Sequence, residues 1–310
     1  MRWLLGLALA LVVAQPAHAL TVTATKPVAP RLTDVRFSTS ALREGGQAYV
    51  LLPDGYAAHP ERRYPVLYLL HGGLGKSLDW IGQGDVERIT AGRDVIVVMP
   101  EGGIGGWYTD WWNGGRGGTP KYETFHVREL VAWVDATYRT IDDRRARGIA
   151  GLSMGGFGAM SYAARNPGVY GWAASFSGAL DIIRNPATQT TITAEAAVML
   201  GRPFGPFGDP VAQRFVWRAH DPVHLADRLR GTRVILAVGT GRPGPLDRFS
   251  LGDPVEDQMH GAGVRMHQRL AALGIPHVWN AYGSGTHSWP YWQRDLRTWL
   301  PDFLAGAQPG

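Results

Sequence analysis

The chain has 310 residues, 45% hydrophobic and 18% charged, with a formal net charge of +5, as in a soluble globular protein with room for one large domain or two small ones. The positive surplus comes from scattered arginines such as Arg139, Arg144, Arg145 and Arg147, without a basic tract interleaved with aromatics, which argues against a nucleic-acid partner. There is no cysteine, which excludes disulfides and acylation of a thiol.

Arg2 precedes an apolar run from Leu4 to Ala14, then Gln15-Pro16 and the small-x-small triplet Ala17-His18-Ala19. This is the pattern of a secretory signal peptide over residues 1–19, cleaved after Ala19. The run falls short of the about 20 apolar residues that a spanning helix needs, so no integral membrane segment is expected after cleavage. The expected location is outside the cell or in its envelope.

Residues 20–46 read as an extended segment leading into an early strand. Ala48 to Leu52 is a short apolar run stopped by the turn residues Pro53-Asp54-Gly55. Val66 to Leu70 and Val95 to Met99 are continuous apolar runs, as expected of strands covered on both faces. Tyr122 to Tyr138 has helical periodicity, with Phe125, Leu130, Trp133, Val134 and Tyr138 on its inner face. A strand over Arg147–Ala150 and a helix from Gly156 follow. Trp172–Phe176 and Val234–Val238 read as strands, Met259–Leu273 as a helix, His277–Tyr282 as a strand and Tyr291–Leu304 as a helix. Alternating strands and helices predict an α/β fold with a mainly parallel sheet. Residues 180–230, rich in Pro and Arg with short helical pieces, read as an insertion over the active face. The expectation is one domain over 20–310.

Gly151-Leu152-Ser153-Met154-Gly155 lies between the strand and helix just named. A G-x-S-x-G in that setting is the nucleophile elbow of α/β-hydrolases and makes Ser153 the candidate nucleophile. A serine hydroxyl needs a base, and the base an orienting acid, following in the order Ser, acid, His. His287 stands in the glycine-flanked loop Gly283-Ser284-Gly285-Thr286-His287-Ser288-Trp289 after the last strand, and is the candidate base. His126, His267 and His277 fall within predicted elements as packing or surface residues, and His220 and His224 are candidates for the pocket wall. Asp247, Asp253, Glu256 and Asp257 all follow the strand Val234–Val238, and spacing alone does not choose the acid among them. One oxyanion donor is expected from the amide of Met154. The other is expected from His71-Gly72-Gly73 after the strand ending at Leu70, with Gly73 preferred over Gly72.

At these residues, from about Tyr49 to Leu300, the chain resembles the esterase family that contains the antigen 85 mycolyltransferases, the esterase D type S-formylglutathione hydrolases and the feruloyl esterases. The resemblance is carried by Leu69-Leu70-His71-Gly72-Gly73, Trp107-Tyr108-Thr109-Asp110-Trp111, Tyr122-Glu123-Thr124-Phe125, Gly151-Leu152-Ser153-Met154-Gly155-Gly156 and Gly285-Thr286-His287-Ser288-Trp289-Pro290-Tyr291-Trp292. The last stretch is closest to the antigen 85 branch.

That branch implies an α/β-hydrolase fold and a Ser, Glu, His triad. Its nucleophile matches Ser153 and its base His287. Its glutamate sits in a Leu-Glu-Asn setting that Val255-Glu256-Asp257 resembles, so Glu256 is the implied acid and Asp253 the reserve. The oxyanion amides carry over to Gly73 and Met154, and Trp289 is implied at the substrate cleft. In mycolyltransferases the early loop reads Leu-Asp-Gly-Leu-Arg, whose Asp and Arg help hold trehalose. Here His71 takes the aspartate position, as an expected substrate contact, and no arginine follows, so the general esterases are the better match at this point. The expected partner is a small-molecule or lipid ester, hydrolysed by water or transferred to a sugar or glycerol hydroxyl; a non-catalytic envelope-binding or matrix-binding role is a further reading. No organic cofactor or metal is expected.

Overall fold

The continuous apolar runs become the inner strands of one nine-stranded sheet. The computed structural model describes residues 20–249 and 251–307; the expected signal segment lies outside them. In chain order the strands are β1 (Thr21–Ala29), β2 (Leu32–Ser38), β3 (Gly46–Leu51), β4 (Val66–Leu70), β5 (Ile96–Pro100), β6 (Arg147–Leu152), β7 (Trp172–Phe176), β8 (Arg233–Val238) and β9 (His277–Ala281). Their spatial order is β1-β2-β3-β5-β4-β6-β7-β8-β9. The first three strands run antiparallel as far as β5, and every pairing from β5 to β9 is parallel. The expected extended segment over 20–46 is thus two paired strands, with β1 the exposed edge.

The helices are the one-turn α1 (Asp79–Gly82) and α2 (Val86–Ile89), then α3 (Val131–Thr137), α4 (Met154–Arg165), α5 (Pro186–Leu200), the short α6 (Arg214–Arg218), α7 (Pro254–Ala272) and α8 (Trp289–Gly306). Parallel strands need helical crossovers, and these cover both sheet faces. Alternation within β4 shows the result. Val66, Tyr68 and Leu70 join the core shared with α4 and α7, while Leu67 and Leu69 join the core beneath α8. Full burial of such a side chain contributes about 1.5–3 kcal/mol. Among the described residues no helix is long and apolar enough to cross a membrane.

Two stretches differ from expectation. The helix expected over 122–138 opens with π-helical turns at Thr124–Leu130 before α3. His126 is buried there, its ring nitrogens each 3.0 Å from Tyr162 Oη and the Glu101 carbonyl. Phe125, Leu130 and Val134 are buried as expected, whereas Trp133 and Tyr138 are half-buried. The insertion holds the full-length helix α5 instead of short pieces only. Asn185 caps it, accepting from the amides of Ala187 and Thr188 at 3.1 and 3.2 Å, and Gly201 at φ 62° ends it. Its threonines and alanines give no apolar stripe by which to find it.

Register brings the carboxyl ends of the central strands level. Leu70 is opposite Gly151, Gly151 opposite Ser175, and Ser175 opposite Leu236. The loops after β4, β6, β7 and β8 therefore emerge side by side, where open α/β sheets bind ligands. This closeness depends on glycine. A Cβ on Gly155 would stand 2.3 Å from the Leu70 carbonyl oxygen and 2.6 Å from that of His71, and backbone atoms cannot yield as side chains do. Gly155→Ala is therefore expected to destabilise the protein by about 3 kcal/mol, the upper end of ordinary overpacking, read from the urea midpoint.

Candidate active site

Ser153 sits between β6 and α4 at φ 54°, ψ −120°, a conformation that L side chains seldom adopt. Its neighbours permit that turn. A Cβ on Gly151 would lie 2.3 Å from the Gly155 carbonyl oxygen, and one on Gly156 would lie 2.8 Å from Gly178 Cα. The turn leaves the Ser153 side chain on a cavity of about 520 Å³, lined also by His287 and Trp289. Met154 opens α4, where amides lack partners within the helix and the helix dipole favours negative charge. Gly72 and Gly73 border the same cavity. An added Cβ on Gly72 would approach Ser153 Cβ to 3.4 Å.

His287 stands in the loop before α8. Its Nδ1 lies 2.7 Å from Glu256 Oε2. Glu256 is fully buried. Its other oxygen accepts from the Gly239 amide at 2.7 Å, the Ser177 hydroxyl at 2.8 Å and the Tyr282 hydroxyl at 3.4 Å. Trp292 Nε1–H in turn donates to Ser177 Oγ at 3.2 Å. Donors crowding Oε1 leave Oε2 for the ring, so Nδ1 carries the proton and Nε2 is left with a lone pair.

The other three acids do different work. Asp253 caps α7, accepting on Oδ1 from the Val255 and Glu256 amides at 2.9 and 3.2 Å, and on Oδ2 from the His287 amide at 2.8 Å. One carboxylate thus ties the helix bearing Glu256 to the loop bearing His287. Asp247 holds Thr286 Oγ1 and, at 2.8 Å, the Tyr291 hydroxyl. Asp257 is exposed. Asp253→Ala is expected to cost about 1 kcal/mol of stability through the lost cap. It should also lower turnover on the order of 10–100-fold by loosening His287. A urea melt and steady-state kinetics on one preparation check both.

His71 requires a correction. Expected as a substrate contact, it is fully buried and does not line the cavity. Its Nδ1 lies 2.8 Å from the Gly72 carbonyl, its Nε2 accepts from the Gly102 amide at 2.9 Å, and its own carbonyl accepts from the Tyr108 hydroxyl at 3.0 Å. The ring braces the loop that carries Gly72 and Gly73. Nearby Glu101 accepts on Oε2 from the Ser77 amide and hydroxyl, each at 3.1 Å. His220 and His224 also stand off the cavity. His220 is buried with Nδ1 2.8 Å from the Val216 carbonyl, and His224 borders a separate polar cleft beside Asp181 and Arg265.

Sequence reasoning missed Glu195 of α5, which lines the cavity and accepts from Trp107 Nε1–H at 2.8 Å. Burial pushes its carboxyl up to about 7 against the pull of that hydrogen bond. Ser177 and Gly239 were missed too. Each is the first residue after a predicted strand, and that position was the available signal.

The putative esterase family model matches residues 39–303. Esterase Rv1288 of Mycobacterium tuberculosis (strain H37Rv) is 37% identical over 254 residues, covering 80% of this chain and 54% of that protein; the chain thus spans about half the length of this relative. The diacylglycerol acyltransferase/mycolyltransferase Ag85B of Mycolicibacterium smegmatis is 32% identical over 226 residues, covering 66% of this chain and 65% of its own. Among solved structures, Mycobacterium tuberculosis MPT51 (FbpC1) superposes with a TM-score of 0.67 at 25% identity, covering 85% of this chain and 94% of that one. A ferulic acid esterase superposes with a TM-score of 0.68 at 24% identity, over 88% of this chain and 98% of its own, a likeness of fold.

Proposed function

This chain belongs to the putative esterase family and has its α/β-hydrolase fold, and from that premise we propose that it is an exported serine carboxylic-ester hydrolase. Residues 1–19 are the export signal and residues 20–310 one esterase domain. Ser153 Oγ attacks the ester carbonyl while His287 Nε2 takes its proton. Glu256 stabilises the imidazolium through Nδ1–H. The amides of Gly73 and Met154 bind the oxyanion. Collapse of the tetrahedral intermediate expels the alcohol, which takes the proton back from His287 Nε2 and leaves an acyl-enzyme. Water, deprotonated by the same nitrogen, then releases the acid and restores Ser153.

The observation that best supports this reading is the shared cavity of Ser153 and His287, with the His287 ring bonded to buried Glu256. A second reading keeps the acyl-enzyme and passes its acyl group to a sugar or glycerol hydroxyl; the identity with an acyltransferase/mycolyltransferase favours it. Incubation with p-nitrophenyl esters from acetate to palmitate, with and without trehalose or glycerol, separates the two by product analysis. Free acid is expected to dominate with every acceptor. Dominant transesterification would replace hydrolase with transferase and leave the acyl-enzyme steps intact.

A further inference from the structure

The chain carries 31 Lys and Arg against 26 Asp and Glu, yet among the described residues no Lys or Arg lines the cavity of Ser153. Its carboxylates are Asp79 and Glu195. Neither belongs to an ion pair among the described residues. Asp79 accepts the Lys76 amide at 2.8 Å, and Glu195 accepts the Trp107 indole N–H at 2.8 Å. Both are therefore held by neutral donors, with no cationic side chain within 4.0 Å among the described residues. Glu195 adjoins the oxyanion loop, since a Cβ on Gly73 would stand 2.8 Å from its Oε1. Three indoles share the wall, Trp107, Trp289 and Trp292, and Trp289 meets Trp292 edge to face at 5.3 Å. Carboxylates and indole rings lining one cavity attract a cation by charge and by the ring quadrupole, and repel an anion.

We infer that Glu195, with Asp79 and the three tryptophans, forms a cation subsite beside the reacting carbonyl, so that the enzyme selects esters bearing an ammonium group and rejects esters bearing a free carboxylate. This rests on the ester-hydrolase reading above. Glu195 touches no reacting atom; it sets which substrates dwell at Ser153. Its rise to about 7 by burial fits a carboxylate awaiting a counter-charge. The other titratable groups on the cavity are Asp79 and His287.

The test uses the full chain at about pH 8, above the value of about 7 to which burial pushes Glu195, and three p-nitrophenyl esters of matched length. Trimethylammoniobutyrate carries a cation, 5,5-dimethylhexanoate is its neutral isostere, and the glutarate monoester carries an anion. The expected kcat/KM order is cation, neutral, anion, with about 100-fold between the extremes. Glu195→Gln keeps an acceptor for Trp107 and loses the charge. It should narrow that span about tenfold, the cationic ester losing and the anionic ester gaining relative to the neutral one. Adding Asp79→Asn should close most of the remainder. A wild-type span under about threefold, or a span unchanged in Glu195→Gln, overturns the subsite. Equal losses on all three esters in Glu195→Gln overturn it as well, because they would mark Glu195 as a brace for Trp107. Calorimetric titration of Ser153→Ala with the same esters reads the charge preference without turnover. Failure of wild type to hydrolyse the neutral ester would count against the hydrolase reading alone, and the titration would still decide the subsite.

Discussion

Replacing Ser153 with alanine is expected to lower kcat on the order of 10⁶-fold, with little change in KM. In the proposed mechanism Ser153 supplies the oxygen that becomes bonded to the acyl group, and no other described hydroxyl is set at a strand-to-helix turn with this φ of 54° on the cavity of His287. What survives the substitution is rate enhancement from the oxyanion amides and binding alone, which in other triads amounts to about 10³–10⁴ over water. A fluorophosphonate should label wild type at Ser153 and leave Ser153→Ala unlabelled. Retention of more than about a hundredth of wild-type turnover by a clean preparation would remove Ser153 from the mechanism. No label on wild type would favour a non-catalytic binding role. Stability separates chemistry from conformation. Alanine inherits the strained backbone, so its melting point should match wild type, whereas Ser153→Gly relieves the strain and should gain about 1 kcal/mol.

The elbow was legible because its requirements are local. Gly151, Gly155 and Gly156 are called for by contacts within one turn and with adjacent strands, so their spacing is itself the signal. The inner strands were legible for a related reason, since burial on both faces demands unbroken apolar runs. Which carboxylate meets the His287 ring was not. Asp247, Asp253, Glu256 and Asp257 lie within one loop and the start of one helix, and what separates them is contact with residues far along the chain. Glu256 meets His287, Ser177 and Gly239 through tertiary packing, and resemblance rather than spacing singled it out. His71 misled for the converse reason. Its place in the loop after β4 suggests exposure to substrate, but Gly102 and Tyr108, brought in from the loop after β5, enclose it. Helix α5 was invisible as a unit, and with it Glu195, because a helix rich in Ala and Thr shows no periodic stripe.

Glu256→Gln is expected to lower kcat on the order of 10³–10⁴-fold while preserving fold and binding. The glutamine keeps the size and shape of the glutamate, so the effect comes from where its one oxygen goes. The Gly239 amide, 2.7 Å from Oε1, can only donate, and the Ser177 and Tyr282 hydroxyls donate to the same atom. The amide oxygen must take that position, which turns the NH₂ toward His287 Nδ1. Two donors cannot face each other at 2.7 Å, so the imidazole moves its proton to Nε2, the nitrogen that accepts from Ser153 in the proposed mechanism. The variant therefore holds its base in the wrong tautomer, and a protonated imidazole would lack its counter-charge as well. Measured kcat should fall far more than 1/KM. A proton resonance for the His287 ring should move from Nδ1 in wild type to Nε2 in the variant, which a merely structural glutamate would not cause. Turnover within tenfold of wild type would transfer the orienting role elsewhere. Asp253 is then the next carboxylate to substitute, although its Oδ2 already serves the His287 backbone amide and not the ring. The ordering expected across the three variants is Ser153→Ala below Glu256→Gln below Asp253→Ala in residual rate. It follows from distance to the reacting bond: the first removes the nucleophile, the second mis-sets the base, and the third loosens the loop that carries it.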